Sequence, residues 1–307
     1  MTPTSPRAPR TATIVLVTRN RKDLLESALR SATAQVGDVD VLVIDDGSTD
    51  GTHAMVAERF PEVTCHRHVE SQGLVVRRNE AAWLARGDIL VSLDDDAVFT
   101  SPDTVRQTLA DFDHPRIAAV AIPYVDVLRS DACHQQPPDA EGRWIAATFR
   151  GTAYAVRRDA FLQLGGFREV IFHQGEEPDF TLRLLDAGGL VRLGRGGPVH
   201  HFEAADRDVR RMTFYGRRNE ILLCTTRLPM PWNLVASAGF AAKGIRWGVR
   251  IRDLRTTLAG IAAGTRLSWR LRRERAPVSR TTYRLDRRLR REGALELTGL
   301  DPPASVR

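Results

Sequence analysis

Three consecutive carboxylates, Asp94-Asp95-Asp96, follow directly on the apolar run 89–93. A strand there would hold them at a defined sheet edge, with Asp94 and Asp96, two residues apart, sharing a direction. Adjacent carboxylates repel one another unless a cation or hydrogen-bond donors compensate. A hard divalent ion such as Mg2+ takes one or two carboxylates and completes its shell with phosphate oxygens. The same residues also suit a solvated acidic turn ahead of a helix over 101–112.

A second acidic cluster, Asp45-Asp46-Gly47-Ser48-Thr49-Asp50-Gly51, ends the apolar run 41–44. Gly47 permits a sharp exit from a strand, and a carboxylate there can accept from a nucleobase or ribose. A plain strand–helix turn with an N-cap would use the same residues. The stretch Gln174-Gly175-Glu176-Glu177-Pro178-Asp179 opens a helix. Proline at the first helical position places Glu177 at the N-cap, where it can serve as general base for a hydroxyl or complement the helix dipole. His200-His201 offers an imidazole that suits Mn2+ or a purely structural histidine. Arg77, Arg78 and Asn79 reach a diphosphate or ribose, or else line a solvated helix face.

The elements that must position these groups alternate. Runs 14–17, 41–44, 63–66 and 89–93 read as strands, with helices between them and a helix over 74–84. Repeated strand–helix units predict a mostly parallel sheet with helices on both faces, which binds ligands at the carboxyl ends of its strands. Both acidic clusters fall at such ends. Further on, the pattern predicts a helix near 102–112, a strand near 117–122, a loop over 129–142, strand structure over 145–156 broken at Gly151, and a helix over 178–187. Residues 1–11 read as a disordered leader, 12–228 as the catalytic domain and 229–307 as a basic helical extension, with helices over 235–254 and 258–273.

The chain has 307 residues and a net charge of +7, unevenly spread. Residues 243–291 hold sixteen Lys/Arg against three acids, a net +13, so the remainder carries −6 against that overall +7. A mildly acidic body thus bears a basic C-terminal arm, suited to an anionic membrane surface, a nucleic acid or a partner. Its arginines alternate with Phe240, Ile245, Trp247, Val249, Ile251 and Trp269, as in interfacial helices. Three widely spaced cysteines, Cys65, Cys133 and Cys224, argue against a disulfide framework or zinc site and for a reducing cytosol. No stretch reaches the ~18 apolar residues that span a bilayer.

Taken in order, these segments resemble the family 2 glycosyltransferases, which have the GT-A fold, a Rossmann-like nucleotide-diphospho-sugar transferase architecture. Val17-Thr18-Arg19-Asn20-Arg21 resembles that family's opening strand and loop, and the segment from Val43 through Asp45-Asp46-Gly47-Ser48 to Thr52 its base-binding turn. Leu93-Asp94-Asp95-Asp96 resembles the metal-binding D-x-D element. Phe149–Ala153, Arg158–Phe161 and Gly165-Gly166-Phe167 are similar to the acceptor-side segment. Gly175-Glu176-Glu177-Pro178-Asp179 resembles the E-D helix start, and Val199-His200-His201 an element that often supplies a metal histidine.

The resemblance implies an inverting transfer of a sugar from a nucleotide-diphosphate donor to an acceptor hydroxyl, with a divalent cation, Mn2+ or Mg2+. It implies Glu177 as base, with Glu176 and Asp179 next in line. Thr18, Arg19, Asp45, Asp46, Arg77, Arg78, Asn79, Asp94 and Asp95 would serve the donor. Asp94, Asp96 and His200 or His201 would serve the metal, His200 being the first choice. The chain departs from the pattern in having Glu at 177, where the family usually has Asp, and in having Pro178. The acceptor is expected to be a saccharide, a lipid-linked intermediate or a small molecule, in the cytoplasm or peripheral on the inner leaflet, with no nucleic acid as partner. A sugar-nucleotide pyrophosphorylase would need a Gly-rich phosphate loop, and 17–21 contains no glycine. A glycoside hydrolase has no use for a nucleotide-binding turn, and a non-catalytic binding protein leaves the acidic strand ends unexplained.

Overall fold

The computed structural model describes residues 11–203 and 208–300. The expected leader, apart from Thr11, lies outside these residues. The first half follows the anticipated alternation: β1 (Thr11–Thr18), α1 (Lys22–Thr33), β2 (Asp38–Asp45), α2 (Thr52–Arg59), β3 (Thr64–Arg67), α3 (Leu74–Leu84) and β4 (Ile89–Leu93). Then come β5 (Ala97–Phe99), α4 (Thr104–Ala110), β6 (Ile117–Ala121), β7 (Tyr124–Asp126), β8 (Cys133–His134), β9 (Trp144–Ala146), β10 (Ala153–Arg157) and α5 (Arg158–Gln163). The remainder is α6 (Glu176–Asp186), β11 (Leu190–Leu193), β12 (Val199–His201), α7 (Val209–Arg227), α8 (Trp232–Arg250), α9 (Leu254–Arg270), α10 (Arg280–Glu292) and β13 (Leu295–Glu296).

Nine strands form one sheet in the order β13-β9-β11-β6-β10-β4-β1-β2-β3. β4, β1, β2 and β3 run parallel, while β10 inserts antiparallel between β4 and β6. A smaller sheet, β5-β12-β7-β8, stands beside the carboxyl end of β4.

The central strands are apolar on both faces because both faces are covered. Ile14, Leu16, Val43, Ile89 and Val91 meet Leu25, Leu29 and Val56 of α1 and α2. Their alternate neighbours Val15, Leu42, Ile44 and Leu90 meet Val75, Ala81, Phe161, Phe180 and Leu184 of α3, α5 and α6. Period-two alternation therefore feeds two cores from one set of strands.

The C-terminal part is less detached than composition suggests. α7 packs against both α8 and α9 although it precedes residue 229, so the helical layer begins before the expected boundary. α10 returns to α6, where Thr282 Oγ1 donates to Asp186 at 2.7 Å, and β13 pairs antiparallel with β9 at the sheet edge. Buried Leu289 and Leu295 join Ile145 and Leu190 in one cluster. A basic composition masked this docking, because α10 spends its arginines on the solvent side and its leucines inward. Among the described residues no helix is long and apolar enough to cross a membrane.

Candidate active site

The end of β4 delivers Asp94, Asp95 and Asp96 to the junction of the two sheets. β12 pairs with β5 so that His201 lies opposite Ala97 and His200 opposite Val98. Strand alternation therefore turns only His201 toward the carboxylates. One ligand atom each from Asp94, Asp96 and His201 lie within 4.8 Å of one another. This corrects the preference for His200, which points to the other face of a three-residue strand. His201 Nε2 stands 3.3 Å from Asp96 Oδ1, and Nδ1 stands 2.5 Å from Asp126 Oδ1 on β7. A carboxylate behind Nδ1 fixes the ring so that Nε2 faces the cluster. Burial alone would lower the His201 pKa, but its contacts with Asp96 and Asp126 raise it. Burial would likewise raise Asp96, yet His201 and Arg21 hold it below the usual carboxylate range.

Asp95 turns the other way. It accepts from Thr18 Oγ1 at 2.8 Å and from Arg21 NH1 at 2.9 Å, and the same nitrogen lies 2.9 Å from Asp96 Oδ2. Burial pushes Asp95 up to about 6 in spite of Arg21. Arg21 thus ties the loop after β1 to the acidic corner, while Arg19 is exposed on that same loop.

The β2 turn splits its two aspartates between different tasks. Asp46 accepts from Ser71 Oγ at 2.5 Å, from the backbone N–H groups of Gln72 and Gly73 at 2.9 Å each, and from Arg77 Nε at 2.6 Å. Burial opposes ionisation there, but these donors bring the Asp46 pKa below its ordinary value. Arg77 also holds Glu80 and the Glu70 carbonyl, so Asp46 and Arg77 brace the 70–73 loop rather than offering free donors. Asp45 is fully buried. Its Oδ1 accepts from the Ser48 N–H at 2.8 Å, and its Oδ2 has no hydrogen-bond partner among the described residues. Ser48 Oγ accepts from the Asn20 N–H at 2.9 Å, which joins this turn to the loop carrying Arg21.

Opposite the metal-type corner lies the start of α6. The helix begins at Glu176, with Gly175 in the left-handed region (φ 94°) as N-cap. Glu177 is therefore inside the first turn and not the N-cap, and Pro178 sits where a helix has no N–H to satisfy internally. Glu177 Oε1 accepts from the Gly151 N–H at 3.0 Å. A Cβ on Gly151 would fall 2.7 Å from that oxygen and 2.9 Å from Arg78 NH1, so any side chain there would push the ends of Glu177 and Arg78 aside. Arg78 is 5% exposed; its NH2 donates to Asp94 Oδ1 at 2.7 Å and to the Gly151 carbonyl at 2.9 Å, and its NH1 lies 3.7 Å from Glu176. Burial raises the Glu177 pKa above the usual range. Burial and the neighbouring Glu177 push Glu176 up to about 8.

Two expected residues fall outside this network. Asp179 is completely buried, accepting from Arg183 Nε at 2.9 Å and Arg227 Nε at 2.8 Å, so it fastens α6 to the end of α7. Asn79 exchanges hydrogen bonds of 2.8 Å with the Phe167 backbone in both directions, clamping the 165–167 turn. Arg21, Asp126 and Gly151 join this network without being singled out as site residues by the sequence. Arg21 and Gly151 lay within motif-like stretches, whereas Asp126 reaches His201 only through the parallel β7–β12 pairing.

Residues 13–161 match the model of the family described as glycosyl transferase family 2. A pre-mycofactocin glycosyltransferase of Mycobacterium tuberculosis is 29% identical over 234 residues, covering 70% of this chain. The chain spans 48% of that relative's length. Among solved structures, a Pyrobaculum calidifontis mannosyltransferase in complex with GDP-Man and Mn2+ superposes with a TM-score of 0.59 at 22% identity, covering 85% of this chain and 76% of that one. S. aureus TarS 1–349 in complex with UDP-GlcNAc gives 0.56 at 15% identity, covering 83% and 92%. At these identities the likeness is one of fold, the GT-A type.

Proposed function

This chain belongs to glycosyl transferase family 2, and from that footing we propose that it transfers a sugar from a nucleotide-diphosphate donor to an acceptor hydroxyl with inversion. The observation that carries this reading is the Arg78–Gly151 link, which joins Asp94 on the acidic corner to Glu177 through three hydrogen bonds. The same network continues from Arg21, which holds Asp96, through Asn20 to Ser48 in the turn after β2, and this continuity supports reading turn, cluster and carboxylate as one site.

The donor set fits a divalent cation, Mn2+ or Mg2+: Asp94, Asp96 and His201 would hold it, with Asp126 orienting His201. When bound, such an ion supplies Lewis-acid stabilisation of charge on the departing diphosphate. Asp45 Oδ2, without a hydrogen-bond partner among the described residues, is the atom that an N–H of the nucleobase would satisfy. Thr18 and Arg21 hold Asp95 at the floor between base turn and cation corner.

Glu177 accepts the proton of the acceptor hydroxyl as its oxygen bonds to the anomeric carbon. The anomeric bond to the diphosphate breaks on the opposite face, and the nucleoside diphosphate leaves with that electron pair. Burial raises the proton affinity of Glu177, which suits a base. Arg78 offsets the negative charge of Asp94, Glu176 and Glu177 and fixes the distance between the two halves. The acceptor belongs to the saccharide, lipid-linked or small-molecule hydroxyls, in a cytoplasmic setting at or near the inner leaflet.

The test is a panel of UDP-, GDP- and TDP-sugars with Mn2+, read by thermal stabilisation of the protein. A preferred donor raises the melting temperature in wild type and in Glu177→Gln, and not in Asp45→Ala. Absence of a shift with every donor in the wild type would defeat the proposal.

A further inference from the structure

α8 and α9 are packed on α7 through glycines and turn apolar faces outward. A Cβ on Gly260 would meet the Phe214 carbonyl at 2.6 Å, and one on Gly264 the Arg218 carbonyl at 2.6 Å. Backbones in such close contact leave little room for rearrangement, so α9 is fixed to α7 in one pose. On α8 the inward side is Asn233, Ala236, Phe240, Gly244 and Gly248, and Phe240 packs on the cluster of Leu182, Cys224 and Tyr283.

At 100° per residue, Leu234, Val235, Ala238, Ala242, Ile245 and Val249 fall on the side of α8 opposite to that contact. Leu234 is 59% exposed, Val235 61%, Ile245 40% and Val249 62%. Leu258 and Trp269 extend the pattern on the outer side of α9 at 46% and 69%. A contiguous apolar stripe on the outside of a well-packed layer marks an interaction surface.

Charge identifies the partner. From 232 to 273 the sequence holds nine Lys/Arg and a single acid, Asp253. Asp253 is itself occupied, capping α9 through the Thr256 N–H at 3.1 Å and facing Arg210 at 3.5 Å. Lys243, Arg246 and Arg250 edge the α8 stripe, and Arg255, Arg266 and Arg270 that of α9. The guanidinium of Arg272 stacks over the Trp269 ring at 4.6 Å, an aromatic and cationic pair suited to a headgroup layer. An acidic protein surface would match the arginines but not the apolar stripe between them. A bilayer with anionic headgroups matches both.

We infer that α8 and α9 form a preassembled docking face for an anionic lipid bilayer, with Leu234, Ile245 and Val249 entering the interface and Arg246 and Arg250 at the headgroups. This goes beyond the catalytic reading and does not depend on it, since binding to vesicles is measured without turnover.

The test is flotation of the full chain with vesicles of phosphatidylcholine alone and with added phosphatidylglycerol, at physiological salt. Wild type floats with the anionic vesicles and on the order of tenfold less with neutral ones. Leu234→Ser/Ile245→Ser/Val249→Ser and, separately, Arg246→Glu/Arg250→Glu lose at least about tenfold in binding while keeping the wild-type melting temperature, because every altered side chain is exposed. Equal flotation of wild type and both variants, or no wild-type flotation, overturns the inference. So does a wild-type dimer in solution that the serine variant converts to monomer without any vesicle binding, which would give the face to a second copy.

Discussion

Arg78 donates to Asp94 Oδ1 at 2.7 Å from a position that is 5% exposed, and this ion pair ties the cation-type corner to the helix that bears Glu177. Removing the guanidinium leaves buried Glu176 and half-buried Asp94 and Glu177 around a void with no cation. Breaking a buried pair from one side costs about 3–5 kcal/mol. Arg78→Ala should lower unfolding free energy by roughly that amount in denaturant titrations. Arg78→Lys should recover part of it, since one ammonium keeps the charge but cannot reproduce the NH1 and NH2 contacts. Equal stability of wild type and Arg78→Ala would remove this residue from the centre of the site.

Glu177→Gln keeps the size of the side chain and its acceptor for the Gly151 N–H, but it cannot take up a proton. Donor affinity should stay within about twofold while the transfer rate falls about 10²–10⁴-fold, the range for a lost general base. Single-turnover transfer alongside nucleotide-sugar titration separates the two quantities. Full transfer by the variant would move the base elsewhere, and Asp179 is then a poor replacement because Arg183 and Arg227 enclose it.

His201 depends on Asp126 for its orientation, with Nδ1 2.5 Å from the carboxylate. Asp126→Asn replaces a charged acceptor by a neutral one that can also present its NH2 group. Losses of about 10–100-fold in metal affinity follow from such changes behind a ligand histidine. Calorimetric titration with Mn2+ of Asp126→Asn, His201→Ala and His200→Ala should give weakened, strongly weakened and unchanged binding in that order. Weakened binding in His200→Ala with a normal His201→Ala would reverse the assignment.

The sequence carried the sheet and its acidic ends because those signals are local. β4 and α3 occupy the residues their patterns suggested, and Asp94–Asp96 follow the last apolar residue of a strand buried on both faces. What was illegible depends on pairing between distant segments. Choosing His201 over His200 needs the register of β12 against β5, and finding Asp126 needs β7 alongside β12. The division of labour between Asp45 and Asp46 is set by where the 70–73 loop lies, and nothing near residue 45 encodes that. Pro178 suggests a first helical position, whereas Gly175 in the left-handed region starts α6 at Glu176. α7 is hard to read because its arginines interrupt the apolar spacing, β13 because it exists only through its pairing with β9, and the sequence marks the extension as helical without marking which face of α10 docks.

Glu176 supplies a test by pH. It is 4% exposed, and its Oε2 has no hydrogen-bond partner among the described residues. Burial first, then the adjacent Glu177, push its pKa up to about 8, with Arg78 opposing. In the unfolded chain a glutamate titrates near ~4.3. Between those values the native state holds a proton that the unfolded state has released. Native protein then binds more protons than unfolded, so stability falls as pH rises through that window. Below the unfolded value the two states bind equally and the contribution is fully present. Glu176→Gln has no proton to lose, and its neutral amide resembles the protonated carboxyl in shape. The melting temperature of the variant minus that of wild type, measured in EDTA, should therefore increase from pH 5 to pH 8. A constant difference, or one that shrinks toward pH 8, would mean that Glu176 ionises in the folded protein as it does in the open chain, with Arg78 outweighing its burial.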